Sequence, residues 1–168
     1  MGAALNPLFL ALALLLWSTP AISAQFPAHV VNVSDGDTVT VRLGDGATER
    51  VRLSGIDAPE KIQPFGVESR RNLLALAGDR DVVVIWHKRD RYKRIVGKVM
   101  AAGRDVCLEQ VAAGMAWHYV KYQAEQEPAD REAYATAETA AKQETVGLWI
   151  DPDPTPPWEF RKERRRAK

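Results

Sequence analysis

The chain of 168 residues has room for one domain with its own hydrophobic core and leaves little for a second. Apolar residues make up 46% of the sequence and charged residues 27%, as in ordinary soluble globular proteins. The formal net charge of +1 excludes a protein that is strongly basic overall, although the last eight residues hold six basic side chains and one acid. Binding of a polyanion would therefore depend on local clusters of positive charge.

The N-terminal segment has the features of an export signal. Residues 8–17 form an unbroken apolar run that is too short to cross a bilayer as a helix. Pro20 and then small residues up to Ala24 follow this run, as at a cleavage site. We therefore predict a signal peptide over residues 1–24, a secreted or periplasmic protein, and no stable membrane association after cleavage. No Lys or Arg precedes the apolar run, so an uncleaved anchor is the alternative.

Five segments have the pattern of β-strands. Residues 29–33 are apolar and end at a Ser-Asp-Gly turn signal, and residues 38–43 alternate and are rich in β-branched side chains. Residues 49–53 return after a Gly-Asp-Gly turn as the second arm of a hairpin. Residues 81–86 and 95–101 are two further β-branched runs. Together with the helical segments, these strands predict a small closed β-barrel with helices packed against it.

Three segments have helical spacing. The first runs from Gly66 to Gly78, and the others are predicted at 107–113 and 130–145. The order of strands and helices is compatible with an α+β, mainly β fold: a five-stranded OB-type barrel with about three packed helices. We assign residues 25–150 to this domain. The remaining residues, 151–168, are rich in proline and then basic, which predicts a flexible C-terminal tail that adds nonspecific attraction for phosphates.

Two acidic clusters lie beside predicted strand ends. Asp35 and Asp37 come directly before the second strand, and Asp57 and Glu60 follow the third. Carboxylates on two neighbouring strands can converge, because hydrogen-bonded strands are about 4.8 Å apart. Two or three aspartates together with carbonyl and water oxygens suit a hard divalent cation such as calcium. An isolated Asp-Gly-Asp sequence is more often simply a polar turn.

Two arginines accompany these acids. Arg52 alternates with apolar neighbours just before the second acidic cluster, and Arg94 lies at the start of the fifth predicted strand. Guanidinium groups bind phosphate through paired hydrogen bonds and stay charged at any useful pH. Taken alone, each position is also compatible with an ordinary solvated strand arginine.

Other catalytic chemistry has little support in the sequence. The three histidines, His29, His87 and His118, are scattered without the spacing of metal ligands. Neither a Gly-x-Ser-x-Gly sequence nor a phosphate-binding Gly-Lys-Ser/Thr loop is present. The single cysteine, Cys107, cannot form an intramolecular disulfide, and its apolar surroundings predict a core position rather than a nucleophile.

The order of the motifs is more specific than any one of them. Asp-Gly-Asp-Thr-Val at 35–39, Arg-Leu-x-Gly-Ile-Asp-Ala-Pro-Glu at 52–60 and Asp-Arg-Tyr-Lys-Arg at 90–94 closely resemble the staphylococcal nuclease family. The resemblance spans residues 31–149, and Pro-Pro-Trp-Glu-Phe-Arg at 156–161 is similar to the tail of exported bacterial members. Lys93 is a departure, because the best-known member has glycine at this position.

The resemblance implies a calcium site. Asp37 and Asp57 match the carboxylates that hold the ion, and the Thr38 carbonyl is assigned as a further ligand. Asp35 matches an acid that lies behind these ligands.

The resemblance also implies roles in catalysis and in substrate binding. Glu60 matches the glutamate that orients or deprotonates the attacking water, and Arg52 and Arg94 match the two arginines that clamp the scissile phosphate. Residues that match the substrate-binding positions are Arg91 and Tyr92, near the terminal phosphate, and Tyr119 and Tyr122, in the region of the stacking tyrosines.

These assignments predict a monomeric, calcium-dependent, sugar-nonspecific endonuclease that hydrolyses DNA and RNA. One alternative is a nuclease that uses another metal or only one form of substrate. The other is a noncatalytic OB-type module that only binds nucleic acid, since the same barrel often does so. A module of that kind has no need for Asp37, Arg52, Asp57, Glu60 and Arg94 together, and the sequence contains all five.

Overall fold

Five strands close into a barrel, as predicted. In the computed structural model, which describes residues 24–167, the barrel strands are β1 (Ala24–Val33), β2 (Thr38–Arg42), β3 (Thr48–Leu53), β5 (Asp81–Arg89) and β6 (Ile95–Ala101). Antiparallel pairing joins β3 to β2, β2 to β1, β1 to β5 and β5 to β6. A parallel pairing between β3 and β6 completes the ring. The predicted α+β fold with an OB-type barrel is confirmed.

The strands form because their side chains alternate between the barrel interior and the outside. In β6, every second residue from Ile95 to Ala101 is buried. Val39, Val51, Val84 and Val99 are among the core residues that have no exposed surface. β-branched side chains fill such an interior well, since they pack closely on a pleated surface.

Two short strands form a second, separate sheet. β4 (Ile56–Asp57) pairs with β8 (Trp117–His118), so that Asp57 lies opposite Trp117. A further short strand, β7 (Arg104–Asp105), extends the sheet beside β6. The β4–β8 pairing therefore places the second acidic cluster next to the segment that follows the second helix.

Three of the helices agree with the predicted ones. They are α1 (Gly66–Ala77), α2 (Val106–Ala112) and α3 (Pro128–Gln143). Asp105 caps α2 by accepting hydrogen bonds from the amides of Cys107 and Leu108. The Cys107 side chain is completely buried, and burial raises the pKa of its thiol well above the usual range. The expectation that Cys107 belongs to the core rather than to a catalytic site is confirmed.

The prediction of a flexible tail is wrong. Residues Pro157–Arg166 form a further helix, α4. Its ends carry ordinary helix signals, with Pro157 and Glu159 in the first turn and three arginines in the last. The segment before it is tied to the loop after β4, because the Gln63 side chain donates a hydrogen bond to the Thr155 carbonyl at 2.5 Å.

The predicted signal peptide lies outside the described residues, except for Ala24. Within residues 24–167, no helix has both the length and the apolar character that a membrane crossing requires.

Candidate active site

One cavity at the side of the barrel collects nearly all of the predicted site residues. Its volume is about 640 Å³. It lies between the acidic clusters, the hairpin that joins β5 to β6, and the segment after β8. The predicted residues that line this active-site cavity are Asp35, Asp37, Arg52, Asp57, Glu60, Arg91, Tyr92, Arg94, Tyr119 and Tyr122.

Asp37 and Asp57 converge on one nitrogen of Arg52. Nη2 of Arg52 lies 3.2 Å from Oδ2 of Asp37 and 2.9 Å from Oδ1 of Asp57. Nη1 of Arg52 donates to the carbonyls of Leu53 and Ile56, at 2.7 and 2.9 Å. Because three hydrogen-bond acceptors and the Asp37 carboxylate hold the guanidinium, its position and that of both carboxylates are tightly defined.

The pairing of β2 with β3 brings these groups together. Thr38 lies opposite Arg52 in the antiparallel ladder, so Asp37 enters β2 beside the end of β3. Asp57 follows β3 after one tight turn, in which Gly55 has a positive φ of 73°. Asp37 also accepts a hydrogen bond from the amide of Ala58 at 2.9 Å, which links the two acidic clusters directly.

The Asp-Gly-Asp turn is held from behind by buried polar groups. Nε2 of Gln110, on α2, donates to the carbonyl of Gly36 at 2.6 Å. Ser69, on α1, packs so closely that a Cβ at Gly36 would lie 1.8 Å from its hydroxyl oxygen. Only glycine fits there, and the turn that carries Asp35 and Asp37 therefore has one position relative to the helices.

Burial raises the pKa of two carboxylates of the site. Burial, together with the charge of Asp37, raises the pKa of Asp35 to about 6. Burial also raises the pKa of Asp57, even though Arg161 and Arg52 act in the opposite direction. For Arg52, burial acts to lower the pKa, but the charges of Asp37 and Asp57 outweigh it and raise the value. Because burial disfavours the charged forms of Asp35 and Asp57, a cation bound beside them would favour their ionisation.

The donor set fits a hard divalent cation. Asp37 and Asp57 offer carboxylate oxygens at the cavity wall, and such oxygens are the ligands that calcium prefers. Within the part of the chain that the structure describes, no group of three acidic, imidazole or thiol side chains forms a metal cluster. A cation at this place would thus be held by the two aspartates with backbone and water oxygens.

Thr38 does not join the wall of the active-site cavity. Its side chain is completely buried, and its hydroxyl donates to Oδ1 of Asp37 at 3.1 Å. Its carbonyl accepts a hydrogen bond from the amide of Ser34 at 2.9 Å, within the turn before β2. This hydrogen bond uses one of the two lone pairs of the carbonyl, so the predicted role of the Thr38 carbonyl as a metal ligand stays a prediction, whereas the hydroxyl fixes the orientation of Asp37.

Glu60 reaches the cavity from a tightly folded loop. Its amide donates to the side chain of Gln63, and a Cβ at Gly66 would lie 2.0 Å from its carbonyl oxygen. The start of α1 is therefore packed directly against the backbone of Glu60. The Glu60 side chain is 39% exposed, so its carboxylate is accessible to water and to a substrate.

Arg94 lies at the end of the hairpin between β5 and β6, next to Thr38. Its guanidinium pairs with Asp90 at 2.7 Å and lies 3.4 Å from the Thr38 hydroxyl. Burial opposes the charge of Asp90, but the hydrogen bonds from Arg94 outweigh it and lower the pKa of Asp90. The rings and cations of the hairpin are also stacked, since Arg91 and Arg94 lie 4.8 and 5.5 Å from the ring centre of Tyr92.

Two tyrosines form a further part of the cavity wall. Tyr119 and Tyr122 contact each other edge to face, with ring centres 5.1 Å apart. Burial, followed by the nearby charge of Asp57, raises the pKa of Tyr119. Both predicted tyrosines thus lie at the cavity, within reach of a bound substrate.

Arg161 is a site residue that the sequence analysis missed. From α4, its Nη2 lies 2.7 Å from Oδ2 of Asp57 and its Nη1 lies 2.8 Å from Oε1 of Glu60. Trp158, one turn earlier, stacks on Tyr119 with ring centres 5.4 Å apart and an interplanar angle of 12°. The helix-end signals around Pro157 were the evidence for a helix here, but nothing local indicated where it would pack.

The fold and the site define a class of protein. An OB-type barrel carries buried aspartates, an accessible glutamate and several arginines in one cavity, which is the chemistry of phosphodiester hydrolysis. Residues 50–151 match the family described as "Staphylococcal nuclease homologue". The chain belongs to this family.

Full-length bacterial relatives agree with this membership. The chain is 38% identical over 154 residues to an "Uncharacterized endonuclease" of Escherichia coli, covering 91% of this chain and 96% of that protein. It is 38% identical over 162 residues to a "Micrococcal nuclease" of Shigella flexneri, covering 91% and 90%. A plant relative, "Staphylococcal-like nuclease CAN1" of Arabidopsis thaliana, is 40% identical over 116 residues, which are 69% of this chain and 34% of that one. The predicted enzyme class, a nuclease, is confirmed, and the noncatalytic binding module is set aside.

Proposed function

We propose that this nuclease depends on calcium and hydrolyses both DNA and RNA without selecting the sugar. The observation that carries the proposal is the convergence of Asp37 and Asp57 on Arg52, beside Glu60, in one accessible cavity. Calcium bound by these aspartates would supply positive charge to a phosphate oxygen as negative charge develops in the transition state.

The two arginines are assigned to the phosphate. In this structure both Nη groups of Arg52 are engaged, Nη1 by two carbonyls and Nη2 by Asp37 and Asp57, so the guanidinium would release these carboxylates to calcium when it binds the phosphate. Arg94 is held in place by Asp90, in the hairpin between β5 and β6. Charged donors that are positioned in advance stabilise a transition state most, and loss of one typically costs about 10²–10³-fold in rate.

Glu60 is assigned to the attacking water. Its carboxylate is exposed at the cavity, and its backbone is fixed by Gln63 and Gly66. A carboxylate held in this way can accept a proton from water beside the phosphate.

The walls of the cavity support a broad substrate range. Arginine and tyrosine side chains dominate the outer walls, at Arg91, Tyr92, Tyr119 and Tyr122. Arginine binds backbone phosphates and tyrosine stacks on any base, so neither reads the sequence or the sugar. The recessed position of the acids favours single strands and frayed duplexes over intact double helices.

We also propose that the protein is exported and acts as a monomer. Cleavage after Ala24 would remove only the first residue of β1 as described and would keep the other barrel strands whole in the mature protein. Mass spectrometry of the exported protein would test this, and an intact Met1 would instead indicate an anchored form. Size-exclusion chromatography with light scattering would test the monomer.

The decisive experiment uses purified mature protein with single-stranded DNA, duplex DNA and RNA. Each substrate is incubated with calcium, with magnesium, or with chelator. We expect cleavage of all three in calcium, fastest for the single strands, and none in chelator. Full activity in chelator would refute the metal site, activity only in another metal would refute the preference for calcium, and activity on only one polymer would refute the lack of sugar selection.

A further inference from the structure

A second groove adjoins the active-site cavity. It has a volume of about 680 Å³ and lies between α4, α3 and the segment from Trp117 to Lys121. Tyr119 and Arg161 line both spaces, so that they form a shared wall. We call it the α4 groove. A chain that leaves the active-site cavity past Tyr119 and Arg161 would enter it directly.

The α4 groove carries an excess of positive charge. Five basic side chains and two carboxylates line it: Lys121, Lys142, Arg161, Lys162 and Arg165, with Glu138 and Glu159. The two carboxylates already have partners, because Glu138 pairs with Lys142 at 2.7 Å and Glu159 pairs with Lys162 at 3.1 Å. Arg161 is paired as well, with Asp57 and Glu60, so the positive charge that remains available to a ligand comes from Lys121 and Arg165.

The shared wall is aromatic as well as basic. Trp158 stacks on Tyr119, and Trp117 packs edge to face against Trp158 with ring centres 6.4 Å apart. Basic grooves with aromatic rings are typical of surfaces that bind single-stranded nucleic acid, since the cations follow the phosphates and the rings contact the bases.

We propose that the α4 groove binds the part of a single-stranded substrate that flanks the cleaved phosphodiester. The proposal rests on the proposed function, because it assumes that the cleaved phosphate occupies the active-site cavity. It gives the C-terminal helix a role as an ordered part of the substrate site, and it identifies Arg165 as a phosphate ligand of that flank.

The chain offers a matched control on the same helix. Arg164 and Arg165 are neighbours, both are exposed, and both are basic, but only Arg165 lines the α4 groove. If α4 acts only through its overall charge, alanine at either position has the same effect. If the groove is a binding site, the effect is concentrated at Arg165.

The test measures binding separately from cleavage. A fluorescein-labelled single-stranded 16-nucleotide DNA is titrated in chelator, with its integrity checked on a gel, and binding is followed by anisotropy at several salt concentrations. We expect Arg165→Ala to weaken binding about five- to tenfold and to lower the salt slope by about 0.7, the value for one phosphate contact on a single strand. Arg164→Ala should change binding less than about twofold. Thermal unfolding checks that both variants fold.

A short substrate provides the second measurement. In calcium, Arg165→Ala should slow cleavage of the 16-nucleotide DNA more than cleavage of a four-nucleotide DNA, because the short substrate does not extend far beyond the active-site cavity. If Arg164→Ala and Arg165→Ala weaken binding of the 16-nucleotide DNA equally, the α4 groove is not the binding site. Absence of binding of this DNA by the wild type would also refute the proposal. Lack of cleavage by the wild type would refute the proposed function instead. The anisotropy titration would still show whether the α4 groove binds single-stranded DNA.

Discussion

Glu60 and Arg94 are assigned to two different contributions to catalysis: Glu60 to proton transfer from water and Arg94 to the charge of the phosphate. Glu60→Gln keeps the size of the side chain and removes the charge that accepts a proton. We expect turnover to fall by roughly 10²–10⁴-fold while the affinity for substrate is nearly unchanged. Steady-state and single-turnover kinetics would measure this.

Arg94→Lys tests the second contribution, because this substitution keeps the charge and loses the planar guanidinium. The turnover of this variant should also fall sharply. Near-native turnover in a folded variant would remove that residue from the catalytic set.

Lys93 has a backbone conformation that favours glycine. Its φ is 63°, in the turn between β5 and β6, which explains why glycine suits this position in a related protein. Lys93→Gly relieves about 1–2 kcal/mol of backbone strain and costs about 0.5–1 kcal/mol in conformational entropy of the unfolded chain. We therefore expect the free energy of unfolding to rise by up to about 1.5 kcal/mol. Urea denaturation would measure it, and a clear loss of stability would contradict the strain.

Helix α4 links the end of the chain to the acidic cluster. Since Arg161 pairs with Asp57 and Glu60, it competes with any cation for the same oxygens. Arg161→Gln should strengthen calcium binding about tenfold, because it removes one positive charge from the site. Isothermal titration calorimetry would measure the affinity, with Arg164→Gln as the control on the same helix. Weaker calcium binding in Arg161→Gln would show that the arginine supports the ion instead.

The pairing of β1 with β5 is accompanied by a titratable contact. His29 lies 2.8 Å from Oδ1 of Asp81 and 3.0 Å from Oδ1 of Asp79. These hydrogen bonds, chiefly that of Asp81, raise the pKa of His29 above its ordinary value. Because the folded pKa is the higher one, the contact contributes to stability below about pH 6.5 and its contribution is lost as the pH rises through the folded pKa. NMR titration should show this raised value, and Asp81→Asn should lower it more than Asp79→Asn. An unchanged value in Asp81→Asn would refute the contact.

Calcium should stabilise the whole molecule against unfolding. The proposed ligands, Asp37 directly before β2 and Asp57 in β4, come together only in the folded state. At calcium concentrations about 100 times the dissociation constant, binding should stabilise the folded protein by about 2.7 kcal/mol. For a domain of this size the unfolding temperature should then rise by roughly 5–10 °C. Differential scanning calorimetry would measure the increase, and Asp57→Asn should abolish it. An equal increase in that variant would place calcium elsewhere.

Much of the barrel and the polar site could be predicted because their signals are local. The alternation in residues 38–43 and 49–53 and the turns beside them are decided by neighbours in sequence. Asp37, Arg52 and Asp57 lie at the ends of such strands, so their convergence follows from one hairpin and one turn. The order of the motifs along the chain predicted the protein family, which no single strand or helix indicates.

Tertiary structure alone decided which distant groups complete the site. Arg94 reaches Thr38, 56 residues earlier, because the parallel pairing of β3 with β6 closes the barrel. Arg161 reaches Asp57 across 104 residues because α4 packs on Tyr119. A basic terminal run has the same composition whether it is a solvated tail or a docked helix, and only the packing of Trp158 distinguishes them. Strand and turn formation depends on local backbone and side-chain preferences, whereas these contacts depend on how the finished elements fit together in space.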